Sequence, residues 1–193
     1  MGLLRRISNL HDMQGATIGG FEIVERLGTG GMGSVYKAHD AALDRFVAIK
    51  VLAAALETDP VCVKRFLREA RSIAALRHPN LMHVYTVGEE QGLHYFAMEY
   101  IEGVPLSKHI ADRGPLSVED TMRITGQVLG ALHKVHGAEV IHRDLKPGNV
   151  MIDTDRRAVV VDFGLSKDTT AMDLTAAGSI MGTPDYMAPE QIE

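Results

Sequence analysis

Residues 142–149 of this 193-residue chain read HRDLKPGN, and this run carries more chemical information than any other stretch of the sequence. It places a carboxylate, a cation and an amide in one loop of eight residues. Asp144 can accept a proton from a hydroxyl group, Lys146 can neutralise charge on a phosphoryl group, and Asn149 can bind a metal ion through its side-chain oxygen. The run therefore predicts a loop that handles phosphate chemistry.

A second acidic position follows at Asp162, thirteen residues after Asn149 and directly after the apolar residues 159–161. A carboxylate at the end of a strand, facing an amide oxygen, makes an oxygen-rich site that suits Mg²⁺. The triplet DFG at 162–164 can occur by chance in an acidic loop, as can HRD. The two triplets in this order, followed by APE at 188–190, rarely occur together by chance.

The glycine cluster at residues 28–33, GTGGMG, matches the pattern GxGxxG, which alone does not decide between folds. A dinucleotide-binding fingerprint needs a helix directly after the glycines, whereas residues 34–37 have the composition of a strand. Two interpretations remain at this point. The cluster is either a hairpin whose backbone N–H groups face nucleotide phosphates, or a plain glycine turn.

Lys50 is flanked on both sides by strand-forming apolar residues. A lysine in a strand is most often an ordinary exposed residue, but the position of Glu69 favours a phosphate-binding role for Lys50. Glu69 falls on an amphipathic helix that is predicted to start at Pro60, with Asp59 as its N-cap. From there it can reach Lys50 as an ion pair, which would hold the ammonium group against phosphates.

Together these motifs resemble those of the eukaryotic-type (Hanks-type) protein kinases, over residues 17–193. The glycine cluster is similar to that of bacterial serine/threonine kinases, and Lys146 with Gly182-Thr183-Pro184 resembles the serine/threonine rather than the tyrosine branch. The resemblance implies an α+β, bilobal fold: an antiparallel β-sheet N-lobe with a helix, and a mainly helical C-lobe. It also implies a transferase that uses ATP and Mg²⁺ to phosphorylate Ser and Thr hydroxyls on protein substrates.

The resemblance also assigns site residues. The adenine ring would lie between Val35, Ala48 and Met151, Met98 would be the gatekeeper, and a hydrophobic spine would consist of Ile73, Val84, His142 and Phe163. The implied catalytic residues are Lys50, Glu69, Asp144, Lys146 and Asn149. The implied metal ligands are Asn149 and Asp162. The implied ATP-binding residues are Leu27, Gly28, Thr29, Gly30, Gly31, Met32, Gly33, Val35, Ala48, Lys50, Met98, Glu99, Ile101, Met151 and Asp162, with Glu99 and Ile101 contributing backbone groups of the hinge.

An activation segment is expected over residues 162–190. Within it, Ser179 is the first candidate for an activating phosphosite and Thr175 the second, while Thr169 and Thr170 are weaker candidates. A phosphate there could pair with Arg143 and order the segment. Autophosphorylation is therefore expected.

The expected organisation is a flexible leader at 1–16, an N-lobe with hinge at 17–101 and a partial C-lobe at 102–193. Strands are predicted at 21–27, 34–38, 46–52, 81–87, 94–100, 150–153 and 158–161, with a turn at 88–92. The first helix is expected to stop at His78-Pro79, and its apolar stripe is Cys62, Phe66, Ala70 and Ile73. The second helix is expected to start at Ser117 and end at Gly137, with an apolar stripe of Val118, Met122, Thr125, Leu129, Leu132 and His136.

Composition excludes several classes of protein. The formal net charge of −5 argues against a general nucleic-acid-binding role. Cys62 is the single cysteine, so no intrachain disulfide can form, and we expect a packed, inert thiol in a reducing cytosol. The chain shows no signal peptide or membrane-spanning run, which predicts a cytoplasmic location. A zinc site built from His133, His136 and His142 lacks a full ligand set.

A second hypothesis is a nucleotide-binding regulator or scaffold with weak or no catalysis. Kinases of this type continue with several more helices after the APE motif, whereas this sequence stops at Glu193. We therefore expect a catalytic domain truncated at its C-terminus, with apolar surface exposed on the helix at 117–137 and possible self-association through it. A Rossmann-type oxidoreductase is excluded by the strand that follows the glycines.

Overall fold

The structure is a computed structural model that describes residues 13–163, 184–187 and 189. Its internal contacts divide the chain into two compact units. The described part of the first unit covers residues 13–75 and 83–100, and that of the second covers 76–82 and the residues from 101 onward.

The first unit contains a six-stranded sheet in the order β1-β2-β3-β4-β6-β5, and all of its strand pairs are antiparallel. The antiparallel sheet predicted from the sequence is thereby confirmed. Its strands are β1 (Thr17–Ile18), β2 (Phe21–Gly30), β3 (Gly33–Asp40), β4 (Arg45–Leu52), β5 (Val84–Glu90) and β6 (Leu93–Glu99).

One face of this sheet is a buried core. Side chains alternate between the two faces of a strand, so Val47, Ile49 and Val51 of β4 share one face. They form a cluster with Met13 and Ile18, among others. The prediction of an irregular leader is therefore wrong for residues 13–16, because Met13 is buried and the main chain there bonds to β2.

The opposite face of the sheet carries Lys50 and packs against helix α1 (Pro60–Ala74). As predicted, Asp59 is the N-cap, and its carboxylate accepts a hydrogen bond from the N–H of Val61 at 2.8 Å. Phe66 of α1 contacts Phe96 of β6 with ring centroids 5.1 Å apart. The aromatic contact orients the buried face of α1 towards the strand that neighbours Lys50.

Three local predictions for the first unit are wrong. Helix α1 ends at Ala74, before His78-Pro79. The strand predicted at 81–87 begins only at Val84, and the turn predicted at 88–92 shrinks to Gln91 and Gly92, whose φ angles of 53° and 81° suit a two-residue hairpin.

We expected Cys62 to be packed in the core, and the structure shows that it is not. It is partly exposed in the first turn of α1, where its Sγ donates to the Asp59 carboxylate at 3.2 Å. This hydrogen bond raises the pKa of the Cys62 thiol. The thiol therefore stays protonated at neutral pH, and only its protonation, not its burial, disfavours reactivity.

The described part of the second unit combines a three-stranded antiparallel sheet with two α-helices. Its core cluster is centred on Leu106, Ile124, Val150 and Ile152. Helix α2 and strand β7 have no counterpart in the sequence predictions. The elements are β7 (Gly103–Pro105), α2 (Leu106–Arg113), α3 (Val118–His136), β8 (Val150–Asp153) and β9 (Ala158–Val160).

Residues 76–82 belong to the second unit although they directly follow α1. The Asn80 side-chain amide donates to the Ala158 carbonyl at 2.7 Å, and the N–H of Met82 donates to the Val160 carbonyl at 3.1 Å. This segment is thus an extra edge for β9 rather than the start of a strand in the first unit.

Helix α3 has the predicted cap, since the Ser117 hydroxyl accepts from the N–H of Asp120 at 3.1 Å. The predicted apolar stripe of this helix lies mostly at the surface. Val118, Met122 and Leu129 are 82%, 70% and 59% exposed. Buried positions of this helix are instead Ile124, Ala131 and Val135. The expectation that this helix exposes apolar surface is fulfilled by the same three side chains.

No helix in the described part of the chain is both long and apolar enough to cross a membrane.

Candidate active site

Lys50 and Glu69 form an ion pair in the first unit. The Lys50 ammonium lies 3.2 Å from the Glu69 carboxylate, and Glu69 is 4% exposed on the buried face of α1. Lys50 also lies 5.8 Å from the centroid of the Phe96 ring. The sheet and α1 thus fix the position of the ammonium group from two sides.

The glycine cluster is a β-hairpin that ends β2 and begins β3, with Gly31 and Met32 at its tip. No helix follows it, which removes the dinucleotide fingerprint. A Cβ on Gly33 (φ +150°) would lie 1.9 Å from the Val51 carbonyl oxygen, so only glycine fits there. A Cβ atom on Gly28 or Gly30 would have no atom from elsewhere in the chain within 4 Å, so the space beside these two residues is open to another molecule.

Three residues assigned to the adenine pocket within the first unit, Val35, Ala48 and Met98, share the sheet face of Lys50. Val35 is the register partner of Lys50, and Ala48 is the partner of Met98. The N–H of Glu99 donates to the His83 carbonyl at 2.8 Å. The other two residues assigned to adenine, Ile101 and Met151, belong to the second unit.

The loop at residues 142–149 in the second unit gathers three polar side chains. The Lys146 ammonium lies 3.1 Å from Oδ2 of Asp144, and the Asn149 amide nitrogen donates to the same oxygen at 3.1 Å. That nitrogen also donates to the Asp144 carbonyl at 2.8 Å. Since the nitrogen of the Asn149 amide makes both bonds, its oxygen is turned elsewhere and suits a hard cation.

His142 holds this loop against the chain that leads to Asp162. Its Nε2 donates to the Val161 carbonyl at 3.0 Å, while Nδ1 accepts from the N–H of Asp144 at 3.3 Å. This pattern fixes one neutral tautomer, and burial lowers the pKa of His142. The His142 ring lies 4.5 Å from the ring of Phe163.

Asn149 and the segment that bears Asp162 are joined through the main chain. The N–H of Val161 donates to the Asn149 carbonyl at 2.9 Å. Asp162 itself has φ +52°, an uncommon value for a residue with a side chain. These two oxygen-bearing side chains are a fitting pair for Mg²⁺, which takes one or two protein ligands and completes its shell with water and phosphates. Within the described ranges, no three His, Cys, Asp or Glu side chains form a metal-binding group.

Some predicted residues lie outside the described residues. They are Gly164 of the DFG triplet, the phosphosite candidates Ser179, Thr175, Thr169 and Thr170, the run Gly182-Thr183, and Ala188 and Glu190. The sequence patterns assign no site role to Phe96, whose ring centroid lies 5.8 Å from the Lys50 ammonium and whose ring packs on Phe66 of the predicted stripe. The signal was the alternation in β6, where Phe96 shares a face with Met98.

A lysine–glutamate pair under a glycine hairpin, and an Asp-Lys-Asn loop in a second unit, define the class of protein kinases. A comparison of the sequence with known families agrees. The protein kinase domain matches residues 21–193, so the chain belongs to that family. The resemblance inferred from the motifs and the expected fold class are thereby confirmed.

Similar proteins include the serine/threonine-protein kinase PrkC of Bacillus subtilis, 39% identical over 173 residues, or 90% of this chain and 27% of PrkC. The chain spans about a quarter to a third of the length of the curated relatives it matches. The solved kinase domain of Mycobacterium tuberculosis PknI is 36% identical, with a TM-score of 0.68 over 79% of this chain and 62% of that one. The structure of Rad53 1–466 with AMP-PNP is 27% identical, with a TM-score of 0.73 over 90% of this chain and 42% of that one.

Proposed function

We propose that this chain is the ATP-handling and catalytic part of a serine/threonine protein kinase. The observation that carries the proposal is the loop in which Lys146 and Asn149 both contact Asp144 Oδ2, at 3.1 Å each. A carboxylate held in this way can accept the proton of a hydroxyl group, while the neighbouring ammonium stabilises negative charge. Relatives named as serine/threonine kinases support this choice of substrate.

The transfer itself needs positioning rather than a covalent intermediate. A Ser or Thr oxygen of a protein substrate forms a new bond to the γ-phosphorus, and the bond to the β-phosphate oxygen breaks, which releases ADP. The hydroxyl proton goes to Asp144, and Lys146 stabilises the charge on the transferred group. Mg²⁺, when bound, neutralises phosphate charge, and Asn149 and Asp162 are the residues that would hold it.

In the first unit, Lys50 holds the α- and β-phosphates, and Glu69 keeps its ammonium in place. The hairpin residues Leu27 to Gly33 cover the phosphates with their backbone N–H groups. Val35, Ala48 and Met98 contact adenine, and Glu99 offers a backbone hydrogen bond. Met151 and Ile101 of the second unit contribute further adenine contacts. The AMP-PNP complex of Rad53, to which this chain is similar, supports the choice of an adenine nucleotide.

Regulation by autophosphorylation is part of the proposal. Ser179, and secondarily Thr175, would accept the phosphate. The guanidinium of Arg143, whose φ is +62° within the catalytic loop, would pair with it. We also propose a cytoplasmic location, in keeping with a single cysteine.

The second candidate is a nucleotide-binding regulator or scaffold with weak or no catalysis. It is favoured by the exposed apolar side chains of α3, because an apolar strip on a helix is a common site of self-association. Under this function the chain still binds ATP through Lys50, but its main output is assembly with another chain.

Labelled ATP separates the two functions. The chain is incubated with Mg²⁺ and γ-labelled ATP, with and without a Ser- and Thr-rich protein such as casein, next to a longer version that extends past Glu193. Label on the chain or on casein, absent from Asp144→Asn, supports the kinase. Bound nucleotide without label in both versions supports the scaffold, and no nucleotide binding in either version contradicts both.

A further inference from the structure

The carboxylate of Glu57 makes two short hydrogen bonds to His94. Its Oε1 accepts the backbone N–H of His94 at 2.7 Å, and its Oε2 lies 2.7 Å from Nδ1 of the imidazole. The two side chains are 11% and 18% exposed. Neither residue has a role in the proposed chemistry, so this mostly buried pair calls for its own explanation.

The chemistry of the pair makes it a firm contact. An ionised carboxylate can only accept, so Nδ1 of His94 carries the proton in this contact. The other ring nitrogen, Nε2, lies 3.6 Å from the carboxylate of Glu89. Hydrogen bonds to a charged group are stronger than neutral ones, and shielding from water strengthens them further.

Glu57 lies in the connector, which we define as residues 53–59. The connector joins β4, which carries Lys50, to α1, which carries Glu69. It is hydrogen-bonded along its length, from Leu56 N–H to the Ala53 carbonyl at 2.8 Å and from Asp59 N–H to the Leu56 carbonyl at 3.1 Å. A constraint on Glu57 therefore passes directly to the N-cap of α1.

The connector also contacts the tip of the glycine hairpin, because the N–H of Ala53 donates to the Met32 carbonyl at 2.9 Å. His94 in turn stands two residues before Phe96, the ring that packs on α1. The carboxylate of Glu57 thus ties the connector to β6 through His94, near the N-terminal end of α1.

We propose that Glu57 and His94 are positioning residues that fix the N-terminal end of α1 against β6 and so keep Glu69 on Lys50. This inference rests on the proposed function, in which Lys50 binds nucleotide phosphates. Glu57 and His94 do not contact the nucleotide. Their loss should therefore weaken the binding of phosphates and leave the binding of adenosine unchanged.

The test compares AMP-PNP with adenosine by titration calorimetry in the presence of Mg²⁺. For Glu57→Ala and for His94→Leu we expect affinity for AMP-PNP to fall about tenfold, since a charge-assisted bond is lost. Affinity for adenosine should stay within about twofold, and the double variant should lose no more than the stronger single variant. An unchanged ratio of the two affinities, with only a lower urea midpoint, would show a merely structural role and overturn the inference.

Two matched variants complete the design. His39→Leu removes another imidazole–carboxylate bond, 3.1 Å to Asp44 in an exposed turn, and should change neither affinity. In a Lys50→Met background, Glu57→Ala should have no further effect on AMP-PNP. If Glu57→Ala does not fold, His94→Leu carries the same comparison, because it keeps the backbone bond to Glu57. A parent chain that binds neither ligand contradicts the proposed function. If the parent chain binds AMP-PNP more tightly than adenosine but the variants keep the same ratio of affinities, only this inference is contradicted.

Discussion

The side chain of Asp144 shows how a few contacts fix the orientation of a carboxylate. Lys146 and Asn149 both contact its Oδ2, and the backbone N–H of Asp144 donates to Nδ1 of His142. The carboxylate therefore has a fixed orientation before any substrate arrives, and such preorganisation is the main source of electrostatic stabilisation in enzymes.

Replacing Asp144 by Asn should abolish most phosphoryl transfer. The amide has the same shape but cannot accept the hydroxyl proton, so we expect a loss of about a thousandfold. The rate is measured with γ-labelled ATP and a protein substrate. AMP-PNP affinity, measured on the same preparation, should stay near that of the parent chain. Equal turnover by the variant and the parent would remove Asp144 from its assigned role.

His142 gives the second unit a dependence on pH. Burial lowers the pKa of His142 in the folded state, so below the pKa of an unfolded histidine the unfolded chain binds a proton that the folded chain resists. The contribution of His142 to stability is therefore complete above the unfolded pKa of about 6.5 and is lost as pH falls towards the lowered folded value.

We expect the free energy of unfolding to fall as pH decreases from about 7 to 5, and His142→Tyr to reduce this slope. Tyrosine keeps an aromatic ring against Phe163 and cannot take up a proton in this range. Urea unfolding at several pH values measures the effect. The same slope in parent and variant would assign the acid sensitivity to other groups.

At the scale of elements, the glycine hairpin is tightly constrained at one position and open at another. Its two strands pair at Gly30 and Gly33, and the tip is bonded to Ala53. Gly33 is fixed by close approach to β4, while Gly30 faces open space. The hairpin thus has one rigid anchor and one exposed edge.

Replacing Gly33 by Ala should destabilise the first unit by about 2 kcal/mol or more, because the new methyl group overlaps the Val51 carbonyl and φ is +150°. Gly30→Ala, which meets no atom within 4 Å, is the matched variant and should cost less than about 1 kcal/mol. Urea midpoints of the two proteins provide the comparison. Similar midpoints would mean that the hairpin shifts to relieve the overlap.

Elements whose signals are local could be predicted from the sequence, and elements that depend on distant partners could not. The cap at Asp59 follows from a short-range pattern, and the pairing of Lys50 with Glu69 follows from the predicted strand and helix that carry them. Helix α3 has apolar residues on two sides, and periodicity alone cannot say which side meets the sheet. The buried Met13 was missed for the same reason, since its cover comes from strands further along the chain.

At the scale of the whole molecule, the described structure leaves an apolar strip on α3. Val118, Met122 and Leu129 repeat at helical spacing and are mostly exposed, while polar side chains dominate the surrounding turns. A strip of this kind is uncommon on an isolated chain in water, because apolar surface favours contact with other apolar surface.

We expect Met122→Lys combined with Leu129→Glu to lower self-association of the chain at tens of micromolar, with little change in stability. Analytical ultracentrifugation and binding of an apolar dye measure the effect. Lys134→Glu, an exposed polar position of the same helix, should leave both signals unchanged. A parent chain that is already monomeric and binds no dye contradicts this expectation.

The placement of residues 76–82 has a consequence for synthesis on the ribosome. Asn80 and its partner Ala158 are 78 positions apart in the chain, so the segment emerges long before the strand that receives it. Until β9 appears, Asn80, Leu81 and Met82 have no native neighbour from the second unit's sheet. A single cut in the chain therefore cannot release the two units as separate halves. The first unit expressed alone should carry residues 76–82 as an internal loop between Ala75 and His83 that lacks its partner strand.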